Sequence, residues 1–162
     1  MIENILFHEI KDNIAWIIEL CFGERRLYTL HYDSEHSASV LHTSDNAVAF
    51  SSIDKLTALC REKHLNLIDG EKISHSFNFD IELDSVIPCK AVLENWNLLT
   101  LIAEAQGDEF EGAKKENEAL LSYIFDHASS DNVTLTLDEK KYSRLLHVFE
   151  EKDQILEKIA VL

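Results

Sequence analysis

Two sets of side chains in this sequence have the chemistry to hold a ligand. The first combines imidazoles and carboxylates within one strand-loop-strand segment, a ligand set that suits a divalent metal. Its members are His31, Asp33, Glu35, His36 and His42. His31 falls among aromatic residues in a predicted strand and His36 falls in a polar loop, so these side chains need not converge. Ordinary core and surface histidines are the stronger interpretation, and we predict no metal and no cofactor.

The second set is the carboxylates, which dominate the charge of the chain. Asp and Glu number 30 against 15 Lys and Arg, for a formal net charge of −15. Such a field repels phosphate backbones and attracts basic surfaces, which argues against direct nucleic-acid binding. An acidic surface also serves solubility alone, so charge narrows the class of partner without naming one. The carboxylates that follow the long predicted strand or occupy the acidic linker and third helix are Asp80, Glu82, Asp84, Asp108, Glu109, Glu111, Glu116 and Glu118.

Motifs of common enzymes are absent from the sequence. Its four glycines are isolated, so they form neither a dinucleotide fingerprint nor a P-loop, and no Gly-x-Ser-x-Gly or His-Glu-x-x-His motif occurs. The three cysteines, Cys21, Cys60 and Cys89, are widely spaced beside apolar residues, which is typical of reduced, buried thiols. Cys89, near a predicted helix start, is a weak thiolate candidate. We predict that the protein is not an enzyme and has no catalytic residue.

The element around which the chain is organised is a helix between Pro88 and Gly107. Proline suits a helix start and glycine suits the left-handed residue past its end. Apolar residues, including Trp96, surround most of the helix axis, which predicts burial on most sides. The segment is too short to cross a membrane, which requires about 20 apolar residues.

The remaining pattern predicts strands first and helices last. Apolar and aromatic runs at 14–20 and 27–32 predict a hairpin, and 39–42 and 47–50 extend it as an antiparallel meander. Ser51 or Ser52 caps a helix that ends near residues 65–66, and 72–83 alternates like a half-buried strand. A third helix is predicted over 113–128. Residues 133–137 form a strand or an extended lead-in to a last helix, capped by Thr136 or Asp138 and broken near Lys152.

This order predicts an α+β fold with helices packed on one side of an N-terminal antiparallel meander and a helical C-terminal half. We expect residues 1–162 to form a single domain. Met1 to Ile10 lack a basic segment followed by an apolar one, so we expect no signal peptide, no membrane anchor and a cytoplasmic location.

Two passages carry a family resemblance. Phe-Ser-Ser-Ile-Asp-Lys-Leu at 50–56 enters a helix from a strand, and 89–103 reads Cys-Lys-Ala-Val-Leu-Glu-Asn-Trp-Asn-Leu-Leu-Thr-Leu-Ile-Ala. In these passages, most specifically at Trp96-Asn97-Leu98-Leu99, the chain resembles immunity proteins of bacterial contact-dependent growth inhibition and related polymorphic toxin systems. The resemblance implies a protein that binds and neutralises a cognate toxin domain in the cytoplasm, and it identifies neither the toxin nor an interface residue.

A nuclease toxin needs a basic substrate cleft, to which clustered carboxylates would be steered. We therefore expect the eight carboxylates named above to bind a basic, nucleic-acid-cleaving toxin domain and to block access of its substrate. The alternatives are a small acidic enzyme with a metal in the segment from His31 to His42, and an adaptor whose C-terminal helix pairs with another chain. The oligomeric state is left open by the sequence.

Overall fold

The computed structural model describes residues 1–33, 37–68, 72–78, 86–128 and 134–162. Its main sheet begins with the predicted hairpin, in which β1 (Ala15–Phe22) pairs antiparallel with β2 (Arg25–Asp33) from Ala15↔Tyr32 to Phe22↔Arg25. Gly23 in the turn has a φ of +58°, a conformation that favours glycine. The Asn78 side chain fixes this turn, because its oxygen accepts the Gly23 N–H at 2.6 Å and its amide donates to the Gly23 carbonyl at 3.1 Å.

The predicted antiparallel meander is present and forms part of a mixed sheet arrangement. β3 (Ala38–Val40) pairs antiparallel with β2 as expected, and isolated antiparallel bridges join Tyr28 to Phe50 and His42 to Ala47. β4 (Val48–Ala49) also pairs in parallel with β8 (Ala160–Val161), a C-terminal strand that the sequence did not predict. β5 (Ile73–Ser76) lies parallel to β1, which gives the strand order β3-β2-β1-β5.

Helix α1 (Ile53–Glu62) begins where the sequence predicted it. The Ser52 hydroxyl accepts the Lys55 N–H at 3.5 Å, and Leu56, Leu59 and Cys60 form the buried face. The helix ends earlier than the predicted residues 65–66, because His64 has a φ of +54°, which cannot continue a right-handed helix. The first part of the predicted strand 72–83 becomes β5, with Phe77 buried and Ile73 exposed; residues 79–83 lie outside the described ranges.

Helix α2 (Cys89–Gln106) confirms the predicted central helix. Pro88 occupies the N-cap, and Gly107 ends the helix in the left-handed conformation with a φ of +69°. Trp96 is 1% exposed and Leu99 is fully buried, so most of the helix lies in the core. Just before it, β6 (Val86–Pro88) pairs antiparallel with β7 (Thr134–Thr136), which resolves residues 134–136 as a strand.

The C-terminal helices are shorter than the sequence pattern predicted. Two 3-10 turns, Glu111–Ala113 and Lys115–Asn117, precede α3 (Glu118–His127), where one helix was predicted over 113–128. Asp138 caps α4 (Glu139–Val148) by accepting the Lys141 N–H at 2.8 Å. The chain breaks before α5 (Lys152–Glu157), as the sequence predicted.

Two apolar clusters line opposite faces of the hairpin, because alternate residues of a strand point to opposite sides. One cluster joins Ile18, Leu20 and Leu27 to helices α2 to α5. The other joins Leu30 and Tyr32 to α1, so α1 packs across the sheet from the other helices. The α+β class and the helical C-terminal half are confirmed. Within the described ranges, no helix has both the length and the apolar character needed to cross a membrane.

Candidate functional site

The acidic linker between α2 and α3 is fixed to the buried helix. The indole N–H of Trp96 donates to the Gly112 carbonyl at 3.0 Å, and Phe110 is 3% exposed beneath the linker. A Cβ on Gly112 would lie 2.6 Å from the Phe110 ring and 2.7 Å from the Trp96 indole nitrogen, so this close approach requires glycine. The buried Asn117 amide donates to the Glu111 carbonyl at 2.7 Å. The linker is therefore a fixed scaffold for its charges.

Two of the predicted binding carboxylates are engaged within the protein. Asp108 accepts a hydrogen bond from the Lys158 ammonium at 2.8 Å, which ties the linker to the residue that follows α5. Glu111 lies 2.6 Å from the Lys114 ammonium and 3.4 Å from Nε2 of His147. The hydrogen bond from Lys114 lowers the pKa of Glu111 below its usual value, and the positive charge of Lys114 adds to the effect. Asp108 and Glu111 hold the linker in place and are less available to a partner.

Three predicted carboxylates remain open to a partner. Glu109, Glu116 and Glu118 are exposed, and in the part of the chain that the structure describes none of them forms an ion pair within 4 Å. Glu109 and Glu116 lie near enough to Lys114 to help raise the pKa of that lysine, whose main partner is Glu111. The other three predicted residues, Asp80, Glu82 and Asp84, lie outside the described ranges.

A groove of about 730 Å³ separates α3 from α4 beside these carboxylates. Its α3 wall is formed by Leu120 and Tyr123 of α3, which supply apolar surface, and by Glu116 in the 3-10 turn just before the helix. Its α4 wall presents the cations Lys140 and Arg144, because residues four apart on a helix share one face. The same wall includes Lys141, Ser143 and His147. We name this feature the α3–α4 groove.

A second groove opens where β1 and β5 begin. It has a volume of about 540 Å³ and is lined by Trp16, Ile17, Ile53, Thr57, Leu67, Ile68, Lys72 and Ile73. Trp16 is partly buried against the main apolar cluster, and its ring packs on the His31 ring, with ring centroids 4.4 Å apart. Ile68 and Ile73 are about half exposed. The opening is apolar.

Glu19 is a buried carboxylate on β1, two residues after Ile17 and on the same face of the strand. The residue is 5% exposed, the Ser74 hydroxyl donates to its Oε1 at 2.6 Å, and the Lys72 ammonium lies 3.2 Å from its Oε2. The Ser74 bond, helped by Lys72, lowers the pKa of Glu19 to about 2 in spite of burial, which acts in the opposite direction. Glu19 thus joins β1 to the edge strand β5 through its charge.

Within the described ranges, the side chains of the histidine segment are not grouped to hold a metal ion. His31 packs on Trp16, while His42 places Nε2 3.3 Å from Glu9. Glu35 and His36 lie outside the described ranges, and elsewhere no three histidine, cysteine or acidic side chains are grouped to hold a metal ion. Burial lowers the pKa of His31.

Two of the three thiols have the environment of core residues, whereas Cys21, also predicted to be buried, is only partly buried. Cys60 and Cys89 are buried, and burial raises the pKa of Cys60 to about 11. Burial also raises the pKa of Cys89, although the residue begins α2. This contradicts the thiolate candidacy of Cys89, because burial outweighs its place at the helix start.

Comparison with known proteins identifies the fold and no family. No family model matches the chain. No curated protein matches it. It is similar in structure to the C-terminal domain of SatS, determined in complex with bromine, with a TM-score of 0.61 and 11% sequence identity over 97% of both chains. At this identity the likeness shows a shared fold alone.

Sequence reasoning missed two features, the cations on one face of α4 and the buried carboxylate of Glu19. Lys140 and Arg144 share a helical face, a spacing visible in the sequence, but nothing local places that face opposite Glu116. Glu19 gives a weaker signal. It is the one charged residue in the apolar run 14–20, and a charge inside a strand flanked by apolar residues is a candidate for a buried pair.

Proposed function

We propose that this protein is a cytoplasmic immunity protein that binds a cognate toxin domain, a nuclease, and blocks access of its substrate. The observation that carries the proposal is the set of three exposed carboxylates, Glu109, Glu116 and Glu118, on a linker and helix start that are fixed to the core. A nuclease binds its substrate in a basic cleft, and fixed carboxylates can occupy the positions of phosphates in that cleft.

The fixed linker matters because ordering a flexible loop on binding lowers affinity. Here the order is already present in the free protein. Trp96 and Asn117 hold the backbone of the linker, and Lys158 and Lys114 hold two of its carboxylates. A partner would therefore meet the three open carboxylates in a defined arrangement, and the net charge of −15 would steer a basic partner toward the protein.

The first experiment is co-expression of this chain with the coding region next to its gene. We expect a stoichiometric complex with a basic domain that is toxic when it is produced alone. Failure to form a complex, together with failure to protect cells from that domain, would reject the proposal for this pair.

The second experiment tests the surface through association kinetics. Replacing Glu109, Glu116 and Glu118 by Gln removes charge and keeps side-chain shape, and we expect association at low salt to slow about tenfold. The matched control replaces the exposed Asp12, Glu24 and Asp45 by Asn, Gln and Asn. Both variants lose three negative charges, so equal slowing would assign the effect to net charge and not to the linker.

A further inference from the structure

The α3–α4 groove places opposite charges on facing walls. Glu116 lies on the α3 wall, and Lys140 and Arg144 lie on the α4 wall. The apolar surface between them includes Leu120, which is 6% exposed, and the partly buried ring of Tyr123. A groove of this size accommodates a few side chains of a partner, and its apolar surface would exclude water from charge pairs formed there.

Most nearby cations already have partners within the protein. The ammonium groups of Lys114, Lys141 and Lys158 pair with Glu111, Asp138 and Asp108 at 2.6, 2.9 and 2.8 Å. The neighbouring imidazole of His147 also has carboxylates beside it, with Glu111 at 3.4 Å and Glu150 at 3.0 Å.

Lys140 and Arg144 differ from these cations. Both are exposed, and in the described part of the chain neither side chain forms an ion pair or hydrogen bond. In a protein with twice as many acidic as basic side chains, two adjacent cations without a carboxylate are available to an external one.

We propose that the α3–α4 groove receives a segment of the toxin that carries charges of both signs, with carboxylates on Lys140 and Arg144 and a cation on Glu116. This inference rests on the proposed immunity function and specifies the partner surface for it. The occupant follows from charge complementarity, since only a segment with both signs satisfies both walls.

Such a groove would add selectivity for one partner, which electrostatic steering by carboxylates alone does not provide. Exposed carboxylates speed association with any basic surface, and the cell contains many basic proteins. A purely basic surface would place its cations against Lys140 and Arg144, which is unfavourable, whereas the cognate segment would form pairs on both walls. The groove therefore confers selectivity for the toxin over other basic proteins.

The test reverses the charge of the cationic wall with K140E/R144E and measures binding to the co-purified toxin domain. The control K55E/R61E also exchanges one exposed lysine and one exposed arginine, but on α1, across the sheet. Lys140 is in the first turn of α4, where a glutamate suits the helix dipole, and K140A/R144A provides a second groove variant without introduced charge. Thermal unfolding of each variant establishes that it is folded.

The two variants separate docking from steering because both make the protein more acidic by the same amount. Groove docking predicts that K140E/R144E weakens the complex about tenfold or more through faster dissociation, that K140A/R144A weakens it less, and that K55E/R61E leaves the dissociation rate unchanged. Equal behaviour of K140E/R144E and K55E/R61E, with faster association in both, would overturn the groove inference and leave the immunity function standing. Absence of a complex with the unmodified protein would overturn both.

Discussion

Negative charge has different roles in the sheet, which contains Glu19, and in the linker region, which contains Glu109, Glu116 and Glu118. In the sheet, Glu19 is buried and holds Ser74 and Lys72, so its charge is used within the fold. On the linker and α3, the backbone is held by Trp96 and the exposed carboxylates have no ion pair within the described ranges. The sheet uses the charge of Glu19 for its cohesion, whereas the three exposed carboxylates of the linker region form no such contact within the described ranges.

The difference shows why the number of acidic residues is a poor guide to a binding surface. A carboxylate that already contacts a cation and a hydroxyl must break both contacts before it binds a partner. The free energy lost with those contacts offsets the free energy gained on binding. A carboxylate on a fixed backbone with no internal partner loses only water. Asp108 and Glu111 fall between these cases, since both are paired near the protein surface.

The largest effect is expected when the support of the linker is removed. Trp96→Ala deletes a fully buried ring and the donor to the Gly112 carbonyl, and we expect a loss of about 3 to 5 kcal/mol in the free energy of unfolding. Urea unfolding measures it. Trp16→Ala is the control, because that ring is only partly buried and should cost less. Equal losses at the two sites would show that the linker region is no better anchored than the β1 to β5 opening.

The next effect concerns the buried charge. Glu19→Gln keeps the shape of the side chain but leaves Lys72 without its carboxylate and weakens the bond from Ser74. Because Lys72 is partly solvated, we expect a loss of about 2 to 3 kcal/mol in the free energy of unfolding, measured by urea at neutral pH. The exposed Glu24, replaced by Gln, should change stability by less than about 0.5 kcal/mol. If both replacements are neutral, the sheet does not depend on the charge of Glu19.

The pH dependence of the stability lost in Glu19→Gln shows whether the ionised carboxylate is its cause. The pKa of Glu19 is about 2 in the folded protein and near 4.5 in the unfolded chain, so folding favours the ionised form. The corresponding stability, of the order of 3 kcal/mol, is fully present above about pH 4.5 and is lost as pH falls toward 2. The stability difference between the original protein and Glu19→Gln should therefore shrink with falling pH. A difference that stays constant would mean that the side chain acts through packing.

The sequence predicted most where the signal was local. Pro88 and Gly107 bound α2 in the sequence and in the structure, and Ser52 and Asp138 cap the helices predicted for them. These boundaries depend on the conformations of single residues and on hydrogen bonds to residues close in sequence, which local spacing reveals.

Features that depend on distant parts of the chain were not predictable. β4 pairs with β8, more than one hundred residues later, and two-residue strands carry almost no pattern. The carboxylates of the site were predicted from composition, but which of them are free depends on where Lys158 and His147 lie. The same holds for the groove, since the α4 cations face Glu116 only in the folded chain.

The smallest effect sharpens the comparison within the linker region itself. Glu116→Gln should leave the free energy of unfolding unchanged to within about 0.5 kcal/mol, because the side chain is exposed and has no described ion partner. Glu111→Gln, five residues earlier, should be measurably destabilising because it releases both Lys114 and His147. Urea unfolding of the two variants under identical conditions shows which substitution lowers the free energy of unfolding more. If Glu116→Gln proved the more destabilising of the two, its carboxylate would be part of the scaffold and would not be free for a partner.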